Sequence, residues 1–505
     1  DILIKKTIYI KMAVFGVQVV FSLVMFTFLH KLAPYYSIGR WILSKRLYRY
    51  LHPTNEELKQ LSSGNLSGKP ANQSGKAKRR RNVPITGSDE TFTVPRNLPV
   101  QLDQAQVEDI DLVSLQYYSD YTWLMDFSFC ALVVYILTEI YYIVSPHRIE
   151  LNLSVLWCLL AIAFCIRLLA AQAWVYMRTE EGGERVLLFT FTFFFLVFAM
   201  GVLVVGDNII EFGIEEGYKN FSLNALAFLE KQGMTSHGPL SFLTFKSALA
   251  ILGMLVGSLL TFPGLRMAKL HQDTLKYTQG RRLLQMLVQI NYLLPLVILM
   301  LWVKPVGRDL LCGKTIKFGK AVFYEDQFDG FRLHLVLIMC GLRLLLMPMF
   351  LQTHLNLAHE KIENIKKESG RISNIDLQKT VARVFFYLCV VAIQYVAPIL
   401  LILFLTFLLK TLGGMSWASL YGETAVEFFS TGPKPGMTFP HLHVENSAMG
   451  SIMESAAHLT GALGDIKGIF TPVWYRGIIT YFLWWVITVW FSSTSLGVMY
   501  YSQSS

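Results

Sequence analysis

Charged side chains inside long apolar stretches are the residues of this sequence best placed to do chemistry. Glu139, Arg167, Lys246 and Arg343 lie within such stretches, and Asp126 lies near the end of one. A charge in hydrocarbon is costly, so it marks either a polar pathway or an ion pair that holds helices together. Counting 1.5 Å per residue along alternating helices puts Glu139 level with Lys246, and Asp126 level with Arg167. We therefore expect these two ion pairs.

Arg343 falls near mid-depth on the same count, close in height to Asn291 and Gln394. These polar side chains fit either a route for ions or protons or a set of hydrogen bonds between helices. No run of carboxylates lines up as a proton relay, so we favour the structural interpretation.

Sequence motifs of enzymes are absent or imperfect. The segment Gly307–Thr315 resembles a phosphate-binding loop, but five residues separate its glycines where that loop has four. His441, His443 and Glu445 are candidate metal ligands in a polar loop, where surface histidines usually bind no metal. Neither HExxH nor GxSxG occurs. We predict a non-enzymatic protein without a cofactor or a metal site.

The composition places the chain in a membrane. Of 505 residues, 53% are hydrophobic and 16% are charged, and the mean hydropathy is +0.44. A soluble interior cannot bury that much apolar surface, whereas a bilayer can. We predict an all-α, polytopic transmembrane helical bundle. The segments with about 20 mostly apolar residues, enough for a span, are Ala13–Leu32, Leu124–Val144, Leu153–Val175, Val186–Val205, Phe242–Phe262, Leu283–Val303, Phe331–Phe350, Val381–Leu409 and Ile478–Tyr500.

Basic residues orient these nine segments. The loops after the first, fifth and seventh segments are rich in Lys and Arg, and they lie on one side if the spans alternate. That side is predicted to be the cytosol, which puts the N-terminus outside and the C-terminus inside. The loop after the sixth segment is an exception, since it carries five basic residues on the opposite side. Because the net charge of +10 is concentrated in loops, we do not expect nucleic-acid binding.

The predicted organisation has six parts. They are an upstream extension (1–11), a membrane anchor (12–32), a basic and partly disordered cytosolic loop (33–120), a core of seven spans (121–409), an extracytosolic loop (410–477), and the last span with a short tail (478–505). A cleaved signal peptide is the alternative to the anchor, but cleavage would put the most basic loop outside. The run Lys76, Lys78, Arg79, Arg80 and Arg81 fits either contact with anionic lipid or a solvated tether.

Helical signals continue beyond the spans on the predicted cytosolic side. Thr54 and Glu57 form a capping box that begins a short helix. The apolar residues that recur at helical spacing after the seventh span are Leu355, Ala358, Ile362 and Ile365. Gly370 ends that helix, and Ser373 with Asp376 caps the next one. We expect two long helices to form a hairpin that protrudes into the cytosol.

Three further features concern packing and modification. Gly253 and Gly257 form a GxxxG motif in the fifth span, which predicts close helix packing. Pro295 and Pro398 interrupt two spans, as prolines do both at transport sites and in plain architecture. Asn220 begins the sequon Asn-Phe-Ser in a loop predicted to lie outside, so it is a candidate for glycosylation.

Long ordered segments carry a family resemblance from Met12 to the end of the chain. They are Trp123–Phe127, Glu180–Arg185, Leu260–Arg266, Leu301–Pro305, Glu368–Ser373, Val381–Pro398 and Leu408–Trp417. On these segments the chain resembles the transmembrane protein 161 family of animals. The tether around 62–92 and the loop 418–455 are the parts that vary.

This resemblance implies a polytopic membrane protein, and it brings no catalytic residues with it. One branch of the family is associated with protection from oxidative stress, and the other with cardiac rhythm through dampening of membrane currents. Met12–Gly16 resembles the first branch and Phe228–Gly233 the second. We predict a non-enzymatic regulator of ion currents or stress responses, with a channel or transporter as the alternative. The expected location is the plasma membrane, with an endomembrane as the alternative, and the expected partners are ion channels or other membrane proteins.

Overall fold

The protein is represented by a computed structural model that describes most of the chain. The described residues are 16–62, 91–144, 152–178, 182–231, 240–312, 324–421 and 468–504. The predicted extension 1–11 and the start of the first anchor lie outside them.

Helices make up most of the described structure. The helices are α1 (Val17–Lys31), α2 (Ile38–Leu43), α3 (Asn55–Ser62), α4 (Asp109–Leu112), α5 (Tyr118–Val144), α6 (Ser154–Arg178), α7 (Gly182–Val205), α8 (Ile214–Lys231), α9 (Phe242–Tyr277), α10 (Arg282–Leu301), α11 (Arg308–Leu311), α12 (Glu325–Lys367), α13 (Asn374–Phe386), α14 (Leu388–Leu412) and α15 (Pro472–Ser504). The short strands are β1 (Tyr48–Tyr50), β2 (Thr93–Pro95), β3 (Gln104–Gln106) and β4 (Arg371–Ser373).

Eight helical segments of the described chain are long and apolar enough to cross a membrane. They are α5, α6, α7, α9, α10, α12, α13 together with α14, and α15. The predicted all-α polytopic fold is therefore confirmed. Helix α1 is apolar but has only 15 described residues, so a ninth span stays a prediction. The last helix begins at Pro472, earlier than the predicted Ile478.

Helix α14 is the axis of the bundle. Every side chain from Leu388 to Leu409 is buried. The helices α5, α6, α9, α12 and α15 pack around it. Its sequence is apolar on all faces, which suits both a lipid-facing and a protein-enclosed helix, and here the surrounding helices enclose it.

The most extensive helix contact joins α9 to α15, and glycines allow it. A Cβ atom added to Gly264 would lie 2.4 Å from Ser493 Cβ, and one added to Gly497 would lie 2.6 Å from Ala268 Cβ. Because these backbones approach so closely, no larger residue fits without displacing a helix.

The two glycines of the GxxxG motif face different neighbours of α9. The Gly253 carbonyl accepts a hydrogen bond of 2.7 Å from Trp485 Nε1 on α15. A Cβ on Gly257 would lie 2.9 Å from Phe195 Cγ on α7. The motif thus holds α9 between two helices.

A small lobe covers one end of the bundle. In it β1 pairs with β3, and β2 pairs with β4, both antiparallel. The second pair sets Val94 opposite Ile372 and so joins the loop after α1 to the turn after α12. The buried apolar residues that fill the lobe are Leu58, Val94, Leu98, Val100, Ala358, Ile362, Leu377, Val381 and Val384. Tyr277, at the end of α9, donates a hydrogen bond of 3.3 Å to the Asn356 carbonyl, so all three basic loops meet at this lobe end.

The helical hairpin forms, but it does not protrude freely. Helix α12 ends at Lys367, and Gly370, with a φ of +115°, turns the chain. Ser373 is the N-cap residue of α13, although its side chain makes no capping hydrogen bond. The predicted hairpin is therefore present, and β2 and the residues after it pack against both of its helices. The Thr54–Glu57 capping box is present, with backbone bonds of 3.2 and 3.3 Å.

Helix α8 occupies a region for which the sequence predicted only a loop. Two acidic residues, Glu215 and Glu216, lie in its first turn, and apolar residues lie along one side. The helix packs against α15. Asn220 lies within this helix, where its Oδ1 accepts a hydrogen bond of 2.9 Å from Asn224 Nδ2. The predicted loop position of the sequon is therefore wrong.

Candidate functional sites at the intramembrane charges

Glu139 forms an ion pair with Lys410, between α5 and α14. The ring of Tyr135 stacks on that of Phe407 one turn away, with centroids 4.0 Å apart, and this contact sets the register of the two helices. Both charged side chains are about four-fifths buried, with exposures of 18% and 19%. The predicted pair with Lys246 is wrong, because Glu139 pairs with Lys410, whereas Lys246 lies beside Phe242, Asp207 and Glu215.

Lys246 lies in the first turns of α9, near the end of the bundle opposite the lobe. Its Nζ atom sits 4.5 Å from the centre of the Phe242 ring. It also lines a shallow pocket with Asp207 and Glu215. This lysine therefore lies near the start of α9, close to acidic side chains.

Asp126 binds the start of α2. Its Oδ1 accepts hydrogen bonds from the backbone N–H groups of Ile38 at 2.8 Å and Gly39 at 3.2 Å. Unpaired N–H groups at a helix start favour an acidic partner. The predicted ion pair of Asp126 with Arg167 is wrong. The carboxylate instead anchors the segment after α1 to α5.

Arg167 is exposed on the outer face of α6. Among the residues that the structure describes, its side chain makes no hydrogen bond, ion pair or ring contact. It lies 11 residues before the end of α6 at Arg178, which is about 16 Å along the axis. Ala163 and Ala170 are exposed one turn before and after it. Arg167 is thus an exposed arginine on a membrane-spanning helix, between two small residues and without a partner among the described residues.

Arg343 is buried at the centre of the bundle, with an exposure of 5%. Its guanidinium carbon lies 3.9 Å from the centre of the Trp490 ring, a cation–π contact between α12 and α15. Its Nη2 donates a long hydrogen bond of 3.5 Å to the Asn291 carbonyl on α10. Nε and Nη1 have no hydrogen-bond partner, and within the described chain Arg343 forms no ion pair.

Pro295 explains why the Asn291 carbonyl faces Arg343. Proline has no N–H group, so the carbonyl four residues earlier loses its helical donor. That carbonyl belongs to Asn291, and Arg343 supplies a donor to it. The amide side chain of Asn291 is fully buried, and neither its nitrogen nor its oxygen has a partner.

Gln394 lies on α14, away from the contact between Arg343 and Asn291. Its Nε2 donates a hydrogen bond of 3.0 Å to the Tyr176 hydroxyl, and its Oε1 accepts one of 3.4 Å from Arg266. The three polar residues that depth counting grouped therefore form two separate contacts.

An ion-pair network at the end opposite the lobe was missed by sequence reasoning. Arg308 Nη2 lies 2.7 Å from Glu211 and 2.8 Å from Asp329, and Arg332 contacts the same two carboxylates. Burial by itself lowers the pKa of Arg308, but the carboxylates of Asp329 and Glu211 outweigh it and raise that pKa. Glu325 adds a contact of 3.6 Å to Arg308. These carboxylates offset part of the basic charge that made the loop after the sixth span an exception.

Several candidates lie outside the described residues. They are the polybasic run from Lys76 to Arg81 and the residues His441, His443 and Glu445. Among the residues that are described, no three His, Cys, Asp or Glu side chains are grouped as metal ligands.

Comparison with known proteins identifies a family for this chain but no similar solved structure. No solved structure matches the chain. The model of a family described as predicted transmembrane protein 161AB matches residues 13–504, which is nearly the whole chain. The chain thus belongs to the transmembrane protein 161AB family and is a multi-pass membrane protein.

Proposed function

We propose that this protein is a non-enzymatic regulator of membrane physiology that binds another membrane protein through Arg167. Modulation of ion currents is the leading form of this regulation, and protection against oxidative stress is the other. Both forms come from the family resemblance. The observation that carries the proposal is the exposed position of Arg167 on the lipid-facing side of α6.

The cost of an exposed intramembrane charge supports a partner. A central arginine costs about 3 kcal/mol on insertion scales. Arginines near helix ends relieve this cost by reaching the interface. Arg167 is too deep for that relief, since it lies about 16 Å from the end of α6. A carboxylate on the transmembrane helix of a partner would neutralise the charge.

The neighbours of Arg167 suit the close approach of such a helix. Ala163 and Ala170 are exposed on the same face. Small side chains let the backbones of two membrane helices approach closely. The expected occupant is therefore a transmembrane helix with an Asp or Glu side chain at matching depth.

The enclosure of α14 supports a regulator over a conduit. Its side chains from Leu388 to Leu409 are buried against five helices, so apolar packing fills the axis of the bundle. A transport route needs polar groups along its length. The charges here are separate: Glu139 is near one end, Asp126 is near the other, and Arg343 is between them.

Whole-cell current recordings test the proposal. Expression of the wild-type chain should reduce the current of a responsive cell, and Arg167→Leu should abolish the reduction, whereas Arg167→Lys should retain most of it. Arg178→Leu is the matched control, because Arg178 lies on the same helix at its end and stacks 5.3 Å from Trp174. Equal current reduction by wild type and Arg167→Leu would contradict the proposal.

A channel or transporter is the second candidate function. Arg343 and Asn291 favour it, because buried polar atoms without partners occur along transport routes. Purified protein in liposomes separates the two functions. Under our proposal the liposomes show no ion or solute flux. A flux that Arg343→Met removes would instead establish the second candidate.

A further inference from the structure

We propose that the protein holds a small inorganic anion, with chloride as the physiological one, between Arg343, Asn291 and Trp490. The inference does not depend on the proposed function. It rests on a buried cation that has no acidic partner among the described residues and on the unpaired donors beside it.

The charge of Arg343 requires compensation. A guanidinium stays protonated in proteins, so it cannot become neutral when it is buried. Removal of such a charge from water costs several kcal/mol. The cation–π contact with Trp490 returns about 2 kcal/mol at best. The hydrogen bond to the Asn291 carbonyl, at 3.5 Å, is too long to return much.

No carboxylate of the described chain pairs with Arg343. Asp126 binds the N–H groups of α2, Glu139 pairs with Lys410, and Asp273 lies 3.0 Å from Lys269, although neither of its oxygens accepts a hydrogen bond within the described chain. The Tyr395 hydroxyl and the Cys340 thiol also lie within electrostatic range of Arg343. The Tyr395 hydroxyl itself donates to the Arg343 carbonyl at 2.7 Å. The compensating negative charge is therefore expected to come from outside the described chain.

Unpaired donors belong to three residues in mutual contact, since Arg343 contacts the Trp490 ring and the Asn291 carbonyl. Nε and Nη1 of Arg343, Nδ2 of Asn291 and Nε1 of Trp490 are all buried without a hydrogen-bond partner among the described residues. An unmet buried donor costs about 1–3 kcal/mol, so a group of them around one cation calls for an acceptor. An anion beside the guanidinium would neutralise it and accept from the donors that it reaches, while Asn291 Oδ1 would face away from it.

The bound anion must be small, of one atom or a few, because the residues around it are buried. Arg343, Asn291 and Trp490 have exposures of 5%, 0% and 2%. A metabolite with a carboxylate or phosphate would need an open cleft at this depth. His271, whose Nδ1 is also unpaired, lies within electrostatic range of Arg343 and stacks on Tyr292 at 4.8 Å. It closes the polar cluster towards α9.

Thermal unfolding in exchanged salts tests the inference. Purified protein is transferred to sodium gluconate, whose anion is too large to enter, and chloride is added at constant ionic strength. The melting temperature of the wild type should rise with chloride and saturate, as expected for a ligand that binds only the folded state. Arg343→Met removes the charge and should make the melting temperature insensitive to chloride. Arg167→Leu, which removes an arginine from a different membrane-spanning helix, should leave the response intact.

Direct binding gives the second measurement. Equilibrium dialysis with radioactive chloride should show retention by the wild type and by Arg167→Leu, and its loss in Arg343→Met. If Arg343→Met does not fold, Asn291→Leu and Trp490→Phe keep the guanidinium but remove donors, and they should weaken chloride retention at least several-fold. The inference is overturned if the wild type retains no chloride, or if the variants retain as much as the wild type does.

Discussion

The carboxylate of Glu139 pairs with the ammonium group of Lys410 where α5 meets α14. The contact lies near the end of the bundle opposite the lobe, beside the stacked rings of Tyr135 and Phe407. It fixes the outer end of the central helix to its neighbour. Loss of either partner leaves a charge largely buried.

Glu139→Ala is therefore expected to destabilise the protein. The loss should be about 3 kcal/mol, at the lower end for a buried pair, because both side chains keep some contact with solvent. Exchange of the two residues, as Glu139→Lys with Lys410→Glu, should recover part of it. Lys246→Ala is the control and should cost less, since Lys246 contacts the Phe242 ring and lines an open pocket but forms no ion pair within 4 Å in the described chain. Melting temperature in detergent is the measurement, and an exchange variant no more stable than Glu139→Ala would contradict the pairing.

The partners of Glu139 show which part of the structure the sequence can predict. Depth can be estimated from the rise of a helix, which is how Glu139 and Lys246 were matched. The rotation of each helix about its axis depends on packing with its neighbours, and hydrophobicity does not reveal it when lipid and protein are equally apolar. Lys410 was missed because it follows the last apolar residue of its predicted span.

Helix α8 is a case in which a usable signal was present. Apolar side chains recur every three or four residues at Ile214, Tyr218, Phe221, Ala225 and Phe228. This spacing predicts an amphipathic helix of the kind that the structure shows. By contrast, the pairing of β2 with β4 joins residues that are far apart in the chain, and no local pattern identifies such partners.

Asp126→Ala is expected to loosen the segment that contains α2. The change leaves the N–H groups of Ile38 and Gly39 without their acceptor, at a cost of about 1–3 kcal/mol. Asp126→Asn keeps an oxygen in place and should cost less. Hydrogen exchange at the amides of Ile38 and Gly39 measures the effect. Unchanged exchange in Asp126→Ala would show that the carboxylate does not hold α2.

The lobe predicts a specific disulfide cross-link. Thr93 and Ser373 are paired across β2 and β4, so cysteines at both positions should form a disulfide on mild oxidation. The control pair combines Thr93→Cys with Asp309→Cys. Asp309 lies in α11, at the opposite end of the bundle. Gel mobility of the oxidised protein distinguishes the two pairs. If the control pair cross-linked as fast as the test pair, the pairing of β2 with β4 would be contradicted.

The orientation of the lobe is a separate prediction. The three basic loops meet at the lobe end, and basic loops remain in the cytosol. Tags placed at residue 75 and after Ser505 should therefore be protected from antibody on intact cells and become accessible after permeabilisation. Labelling of either tag on intact cells would reverse the orientation without affecting the packing of the lobe.

The contact between α9 and α15 gives a matched pair of glycine substitutions. Gly264→Ala puts a methyl group 2.4 Å from Ser493 Cβ, so the two helices must separate. We expect a loss of about 1–3 kcal/mol from overpacking. Gly201→Ala is the control, because Gly201 lies within α7 and a Cβ there would meet no atom within 4 Å. That change should stabilise by about 0.5–1 kcal/mol, because alanine restricts the unfolded chain more than glycine does.

Thermal unfolding of the two variants in the same detergent measures this difference. Gly264→Ala is expected to lower the stability and Gly201→Ala to raise it. A general effect of an added methyl group would change the stability of both variants in the same direction. Ser493→Gly combined with Gly264→Ala removes the atom that the methyl group meets, and it should restore part of the lost stability. If Gly264→Ala and Gly201→Ala changed the melting temperature equally, the close approach of α9 to α15 would be wrong.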